Sequence, residues 1–349
     1  MLRLEPMPNC LRDQQSPRNR VCYKSETCSM AVGLQSQKAV VRIDNVGGHT
    51  TEILELHSVK PSVQIFVVLG NPGVVAFYHD YVESLFKFLN GKASITVISH
   101  VAHTSEAINL DESFKSLIIK DWEAGKLYSL HEQIEHKGHF LKGLVEKADV
   151  PIVLVGHSIG AYMVLELLKQ FQDKVHYVLG VYPFLTLNRE SLKQFIIFKF
   201  CLFPPMSRLL SSLSGLVGSS PRWISRTLLK STLGWSWGAN SVDLACSHLM
   251  KYSVARNFIY LGGTEFKQLK SPPDWDFLRK NQKKICLLFG SNDHWGPLSL
   301  LKEVSKKAPS LKVAVEREGL LHDFSCNEAG SIWVARFTAD VVLSAVPGL

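Results

Sequence analysis

The chain has 349 residues, 46% of them hydrophobic, and a formal net charge of +8. This length encloses one large core with room for an insertion, and the charge fits nucleic acid or an anionic surface as a partner. Seven scattered cysteines without a Cys-x-x-Cys pair exclude a disulfide framework and predict free thiols. No stretch has the roughly 20 uncharged apolar residues that are needed to span a bilayer. The N-terminal segment lacks the apolar h-region of a signal peptide, so we do not expect secretion.

The N-terminal segment lacks any hydrophobic period. Residues 1–36 mix Pro, Gln, Arg and Ser, which predicts a mobile tail ahead of a folded unit over 37–349. Lys38–Asp44 and Thr51–His57 both alternate between apolar and polar residues, and the Gly-Gly turn between them predicts an antiparallel hairpin.

Two buried strands follow, Val63–Leu69 and Ala93–Ser99. The first ends in Gly-Asn-Pro-Gly, a sequence that can place a backbone N–H beside a site. The second leaves His100 and His103 at its carboxyl end. Because no third ligand lies at a plausible spacing, we predict hydrogen-bonded or wall-forming histidines and no metal.

Helical spacing marks two segments around these strands, Phe77–Asn90 and a longer one that starts near Ser129. The second segment carries charged residues among its apolar positions. Three histidines lie among those charges, and we expect them to be solvated: His131, His136 and His139.

The centre of the chain is Gly156-His-Ser158-Ile-Gly160, which follows a buried strand over Pro151–Val155 and precedes a helix over Tyr162–Lys169. Strand, sharp turn and helix around Gly-x-Ser-x-Gly predict a nucleophile elbow with Ser158 at its strained apex. The two glycines are needed because a Cβ at either position would collide with the strand or the helix. A bare Gly-x-Ser-x-Gly match also occurs by chance in unrelated chains. The buried strand before it and the helix after it make the match specific here.

Three further strands are predicted at Val175–Tyr182, Lys284–Gly290 and Leu311–Glu316, and the chain closes on a helix over Glu328–Ser344. This makes eight strands: a hairpin, then alternating strands and helices that require parallel crossovers. About a hundred residues without strands separate the sixth strand from the seventh.

Partners for Ser158 are expected at the carboxyl ends of the strands, where parallel sheets place their sites. Asp293 follows the seventh strand and His322 follows the eighth, in the order Ser, Asp, His. A turn role for Asp293 is the alternative. Asp323 is too close to His322 in sequence, and Asp274 and Asp276 precede a strand. For an oxyanion hole, we predict the backbone N–H groups of Asn71 and Ile159.

The chain resembles the lipid droplet-associated hydrolase family, and we expect a plant-type member. The resemblance covers about residues 37–349 and rests on Leu69-Gly-Asn-Pro-Gly73, Ser99-His-Val-Ala-His103, Gln133-Ile-Glu-His-Lys137, Gly156-His-Ser-Ile-Gly-Ala-Tyr162, Tyr260-Leu-Gly-Gly263, Asp293-His-Trp-Gly-Pro297 and Leu321-His-Asp-Phe324. It implies an α/β-hydrolase fold with a cap inserted after the sixth strand. It also implies a serine hydrolase of sterol esters or acylglycerols at the cytosolic face of lipid droplets and the endoplasmic reticulum, with Ser158, Asp293 and His322 as its triad and no cofactor.

The expected cap spans residues 186–250, and residues 186–242 hold seven basic residues against one acidic residue, a net +6 of the total +8. Apolar residues interleave with these charges, and Pro204-Pro205 should bend the chain. This mixture favours a droplet monolayer or an anionic membrane, and it disfavours nucleic acid. The predicted contact residues are Phe195, Phe198, Phe200, Phe203, Trp223, Arg222, Arg226 and Lys230.

Several alternatives stay open at this stage. The cap is either a plain lid over the site or a lid that also contacts lipid. The chain itself is a lipid esterase, a slow or inactive scaffold at droplet surfaces, or a thioesterase or small-ester carboxylesterase. The sequence does not indicate its oligomeric state.

Overall fold

An eight-stranded sheet organises the protein. The computed structural model describes residues 37–103, 125–188, 190–232 and 234–349, so the expected mobile tail over 1–36 lies outside the described residues. The strands are β1 (Val40–Val46), β2 (His49–Leu56), β3 (Val63–Val68), β4 (Ala93–Ile98), β5 (Ile152–His157), β6 (Val175–Val181), β7 (Ile285–Gly290) and β8 (Lys312–Glu316).

The strand order across the sheet is β1-β2-β4-β3-β5-β6-β7-β8. Strand β2 runs antiparallel to both β1 and β4, and the other neighbouring pairs are parallel. The eight-stranded, mostly parallel sheet with an N-terminal antiparallel hairpin is therefore confirmed. Because β3, β5, β7 and β8 are parallel, their carboxyl ends share one edge of the sheet.

Helices cover both faces of the sheet and fill the long gap between β6 and β7. They are α1 (His79–Phe88), α2 (Leu130–Lys147), α3 (Ile159–Gln170), α4 (Leu192–Leu202), α5 (Pro204–Gly218), α6 (Arg222–Thr232), α7 (Ala239–Leu244), α8 (Tyr252–Gln268), α9 (Trp275–Asn281), α10 (Leu298–Lys307) and α11 (Glu328–Ala345). A π-helical turn over Ala245–Leu249 follows α7 directly.

Alternate side chains of the central strands enter two separate cores. In β3, Ile65 and Val67 join the core formed with α1 and α11, whereas Phe66 and Val68 join the core formed with α2 and α3. Strand β5 divides its residues in the same way. The sheet is buried on both faces, which explains why these strands are continuous apolar runs in the sequence.

One expectation about the histidines of α2 is wrong. His131 and His139 are exposed as predicted, but His136 is 2% exposed. Its Nε2 lies 2.8 Å from Thr51 Oγ1, and its Nδ1 lies 3.2 Å from the Nζ of the buried Lys137. Burial and the neighbouring Lys137 lower the pKa of His136, so the ring is neutral. The helix thus presents a polar stripe to the sheet that charge content alone did not indicate.

The cysteines of the described residues are free, as expected: Cys201, Cys246, Cys286 and Cys326.

Candidate active site and outer cap surface

Ser158 sits at a sharp turn between β5 and α3. Its φ of 57° and ψ of −121° place it in a region that L-residues rarely adopt. Such a conformation costs on the order of 1–3 kcal/mol and persists only where the surroundings enforce it. Here the Ser158 N–H donates to the Val181 carbonyl at 3.0 Å, and the Phe184 N–H donates to the Ser158 carbonyl at 3.1 Å.

The elbow glycines are required by close packing. A Cβ on Gly156 would lie 2.3 Å from the Gly160 carbonyl oxygen, and one on Gly160 would lie 2.3 Å from the Val68 carbonyl oxygen. Both distances are far below van der Waals contact. The strand-elbow-helix prediction and its reason for the two glycines are both confirmed.

The structure brings together the three residues that the sequence placed at separate strand ends. His322 Nε2 lies 2.8 Å from Ser158 Oγ, and His322 Nδ1 lies 2.9 Å from Asp293 Oδ2. The side chains are shielded from solvent, with 19% of His322 and 2% of Asp293 exposed. An ionised carboxylate only accepts hydrogen bonds, so Nδ1–H donates to Asp293 and Nε2 is left to accept the Ser158 proton.

The environment of Asp293 keeps it charged. Burial alone would raise the pKa of Asp293, but the nearby His322, its hydrogen bond and the Trp295 N–H outweigh burial and hold this pKa below its usual value. The Trp295 N–H donates to Asp293 Oδ1 at 2.9 Å, so the turn role and the partner role of this residue coexist.

The rejected carboxylates have other partners. Asp323 accepts a hydrogen bond from Trp237 Nε1, and Asp274 caps α9 by accepting from the Phe277 N–H.

The two predicted oxyanion donors border Ser158. Ile159 is the first residue of α3, and N–H groups in a first helical turn have no carbonyl partner within the helix. Asn71 follows Gly70, where an added Cβ would lie 2.9 Å from Ser158 Cβ. The helix start and the loop after β3 therefore meet at Ser158.

His100 and His103 support that loop from behind. Both are fully buried, and His103 Nδ1–H donates to the Pro72 carbonyl. The His100 N–H donates to the Gly73 carbonyl, and a Cβ on Gly73, whose φ is +63°, would collide with the His100 ring. Across the residues that the structure describes, no group of three or more His, Cys, Asp or Glu side chains is arranged to hold a metal ion.

The polar residues on the buried face of α2 hold the backbone that follows β4. The Gln133 side chain accepts from the Val101 N–H at 2.9 Å and donates to the Val101 carbonyl at 3.2 Å. Lys137 Nζ donates to the Ser99 carbonyl at 2.9 Å. The Gln-Ile-Glu-His-Lys motif thus positions the β4 exit, which in turn supports the loop that carries Asn71.

Sequence reasoning missed the residues that hold the His322 loop. His157 Nε2–H donates to the His322 carbonyl at 2.8 Å, and its Nδ1 lies 2.6 Å from the Tyr78 hydroxyl. Burial, mainly, lowers the pKa of His157 to about 3, so this ring stays neutral. Tyr182 stacks on Phe324 beside it, with ring centroids 5.9 Å apart. The signal available in the sequence was position. His157 ends β5 beside Ser158, Tyr182 follows the end of β6, and Phe324 lies two residues after His322.

The outer face of α4 combines large apolar side chains with the exposed Lys193 and Lys199. Among the predicted lipid-contact residues, Phe195, Phe200 and Phe203 are 55%, 40% and 56% exposed. Phe198 is the exception, because it turns inward and its ring contacts Phe266 at a centroid distance of 5.5 Å. We therefore withdraw Phe198 from the lipid-contact set.

Helix α5 packs small residues against the protein and exposes large apolar ones, which is the opposite of a helix that faces water. The small residues Ser207, Ser211 and Gly215 lie against the protein. The outward face carries Leu209, Leu210, Leu213 and Leu216. Twelve of the 21 exposed large apolar side chains of the described residues lie within 186–250. Exposed apolar patches of this kind mark interaction sites.

The basic residues of α6 are partly neutralised. Arg226 and Arg222 both pair with Asp243, the latter at 3.3 Å. Lys230 donates to the Trp237 carbonyl at 2.6 Å, and Trp223 remains 70% exposed. Over residues 186–250 the seven basic residues face two acidic ones, a net charge of +5.

Within the described residues, no single helix is long and apolar enough to cross a bilayer. Helices α4 and α5 pass that length and composition test only together, and they bend by 93° at Phe203, beside Pro204-Pro205.

Comparison with solved structures defines the fold. A protein from Acinetobacter baumannii, described as a putative lipase, aligns with a TM-score of 0.61 and 15% identity over 88% of this chain and 92% of its own. A haloalkane dehalogenase from Agrobacterium tumefaciens aligns with a TM-score of 0.64 and 13% identity, covering 88% and 97% of the two chains. A monoglyceride lipase from Saccharomyces cerevisiae aligns with a TM-score of 0.57 and 10% identity, covering 91% of this chain and 99% of its own. The protein has the α/β-hydrolase fold.

The sequence profile of the lipid-droplet associated hydrolases matches residues 61–325, and the chain belongs to this family. The human lipid droplet-associated hydrolase is 26% identical over 303 residues, covering 79% of this chain and 84% of the relative. The Dictyostelium discoideum protein of the same name is 25% identical over 299 residues, covering 82% and 90%. These relatives confirm the family resemblance and do not bear on the expectation of a plant-type member.

Proposed function

We propose that the protein is a serine hydrolase of lipid esters that forms an acyl-enzyme on Ser158. The observation that carries this proposal is the continuous hydrogen-bond chain from Ser158 through His322 to Asp293, at 2.8 and 2.9 Å. It lies at a strained elbow in an α/β-hydrolase fold, where such a chain activates a serine hydroxyl.

The geometry supports a two-step reaction. Ser158 Oγ attacks the ester carbonyl carbon while its proton passes to His322 Nε2. The Asn71 and Ile159 N–H groups stabilise the oxyanion, which collapses as the C–O bond to the alcohol breaks and His322 returns the proton to the leaving alkoxide. Water then attacks the acyl-enzyme in the same manner, with His322 as base and then acid, and releases the fatty acid. Asp293 holds the ring orientation and stabilises the imidazolium.

We further propose that residues 186–250 dock on lipid, so that sterol esters or acylglycerols reach Ser158 at a droplet surface. The inverted amphipathicity of α5 supports this, because a helix with its small face packed and its leucines outward favours an apolar surrounding. The proposed location is the cytosolic face of lipid droplets and the endoplasmic reticulum. The relatives' name, lipid droplet-associated hydrolase, points the same way.

The chemistry is tested by labelling the full-length protein with a fluorophosphonate, with Ser158→Ala as the control. A panel of sterol ester, triacylglycerol, monoacylglycerol, acyl thioester and p-nitrophenyl butyrate then assigns the substrate class. We expect labelling of the wild type alone and turnover of a lipid ester. Labelling without turnover of any ester would instead favour the scaffold, and turnover confined to thioesters or short esters would favour those alternatives.

Docking is tested by flotation with phospholipid-coated triolein droplets. The variant Phe195→Ser/Phe200→Ser/Phe203→Ser should float at least about tenfold less at every salt concentration, because each exposed aromatic side chain buries apolar surface in the lipid. A control with three exposed apolar residues changed outside the cap, Leu298→Ser/Ile332→Ser/Leu343→Ser, should float like the wild type. Equal losses in both variants would reduce 186–250 to an ordinary lid.

A further inference from the structure

The side chain of Asn71 is anchored to helix α8, far away in the sequence. Its Nδ2 donates to the Phe258 carbonyl at 2.8 Å and to Glu265 Oε1 at 3.1 Å. Both bonds use the side-chain amide, so neither engages the backbone N–H that we assign to the oxyanion hole. The position of that N–H therefore depends on where α8 holds the amide.

Glu265 is an unusual anchor, because it is a carboxyl group only 5% exposed. Burial raises the pKa of Glu265 to about 8, against the opposing hydrogen bond from Asn71. In the described part of the chain, the titratable group that faces it is the Cys201 thiol on α4, whose own pKa burial raises to about 12. Both groups are thus neutral at pH 7, and Glu265 carries a proton.

The protonated form suits its neighbour. Asn71 Oδ1 is buried and finds no donor among the described residues, whereas a protonated carboxyl both accepts and donates. An ionised Glu265 could only accept. It would also place a negative charge behind the loop that must stabilise a developing oxyanion.

The same turn of α8 contacts the cap. A Cβ on Gly263 would lie 3.3 Å from the Cys201 carbonyl oxygen, and one on Gly262 would lie 3.6 Å from both Asn71 Nδ2 and Cys201 Sγ. The Tyr-Leu-Gly-Gly motif therefore lets α4 and the Asn71 side chain both approach one turn of α8 closely. Glu265 follows this motif after one residue, Thr264.

We propose that Glu265 is a positioning residue whose protonated carboxyl, acting through the Asn71 side chain, holds the Asn71 backbone N–H in the oxyanion hole. The proposal rests on the proposed acyl transfer at Ser158. Ionisation of Glu265 keeps the hydrogen bond from Asn71 Nδ2, but it removes the proton that Asn71 Oδ1 can accept and places a negative charge behind the oxyanion hole. Reaction at Ser158 therefore slows as pH rises past the point where Glu265 loses its proton.

The test measures two rates in the full-length protein from pH 6 to pH 10: phosphonylation by a fluorophosphonate, and kcat and KM for p-nitrophenyl butyrate. The phosphonyl oxygen also enters the oxyanion hole, so the first rate reports on it even where ester turnover is slow. The variants are Glu265→Gln, which copies the protonated carboxyl, and Glu265→Leu, which removes it. The exposed Glu146→Gln, outside the cap, is the matched control.

We expect the wild type and Glu146→Gln to lose rate as pH rises through about 8, and Glu265→Gln to lack this loss. At pH 7, Glu265→Leu should lower kcat and the phosphonylation rate by about tenfold, less than the loss of a whole oxyanion donor, with KM nearly unchanged. Wild-type rates in Glu265→Leu, or the same alkaline loss in Glu265→Gln, would overturn the proposal.

Two controls keep this result separate from the proposed function. If Glu265→Leu loses its circular dichroism signal, the pH profile of Glu265→Gln alone decides. If Ser158→Ala is phosphonylated as fast as the wild type, the assignment of the nucleophile fails, whatever Glu265 does.

Discussion

The carboxyl edge of the sheet and the outer face of the cap are built in opposite ways. At the edge, polar side chains are buried and their directions are fixed by short hydrogen bonds, as in the 2.8 Å contact between His322 and Ser158. On the cap, large apolar side chains are exposed, Leu216 by 69%, whereas small residues such as Ser207 and Ser211 lie inside.

This difference teaches how each function tolerates change. A reaction requires particular atoms at particular distances, so one substitution at the edge should be decisive. Contact with a fluid lipid surface requires only area and charge, so the cap should lose function gradually, in proportion to what is removed.

The largest effects are expected at the proposed nucleophile and its proposed base. Ser158→Ala and His322→Ala should each lower kcat for p-nitrophenyl butyrate by about 10⁴-fold or more, because the two residues act as one unit. For the same reason, the double variant should be little worse than either single one. Losses that multiply would show that the residues act independently and would weaken the contrast with the cap.

Asp293→Asn should cost somewhat less, on the order of 10³- to 10⁴-fold in kcat, because an amide no longer fixes the imidazole tautomer. The amide can still occupy the turn, so the thermal unfolding temperature should stay close to that of the wild type. Activity near the wild-type level would require a different carboxylate for His322.

A smaller effect on the free energy of unfolding is expected at the elbow. Gly160→Ala places a Cβ 2.3 Å from the Val68 carbonyl oxygen, so the helix or strand must shift, at a cost of about 3 kcal/mol. Gly143→Ala, in α2 with nothing near its Cβ, should instead stabilise by about 1 kcal/mol. Urea denaturation measures both. Equal responses would mean that packing at the edge is less strict than the distances imply.

The smallest effect is expected from the charges of α6. Arg222→Gln/Arg226→Gln/Lys230→Gln should weaken binding to anionic vesicles by up to about 1 kcal/mol per residue at low salt, and hardly at all at high salt. Asp243→Asn should strengthen binding under the same conditions, because it frees Arg222 and Arg226 from their shared partner. Vesicle co-sedimentation at two ionic strengths checks both signs.

Local patterns predicted most of the fold and the three residues that meet at the edge. Buried strands are continuous apolar runs, and parallel topology sends their carboxyl ends to one place, so Asp293 and His322 were found without knowledge of tertiary contacts. The elbow was predicted with the reason for its glycines. These signals work because each depends on neighbours in the sequence.

The misses share a different cause. The burial of His136 depends on Thr51, and the inward turn of Phe198 depends on Phe266, both outside the helices concerned. The bond between Asn71 and Glu265 joins residues 194 positions apart. The net charge of residues 186–242 likewise leaves out the next residue, Asp243, which pairs with Arg222 and Arg226. No local period reports such contacts.

The right-angled break between α4 and α5 limits how deep the cap would reach into lipid. At 1.5 Å per residue, the arms of 11 and 15 residues measure about 16 and 22 Å, whereas the hydrocarbon core of a bilayer is about 30 Å thick. Neither arm alone would cross that core, and the right-angled bend would keep both arms on the side from which the cap enters. A droplet is coated by one leaflet and a bilayer contains two, so the protein would pass laterally from one to the other without refolding. A helix that spans a bilayer has polar ends on both sides, and at a droplet one of those ends would lie in the oil.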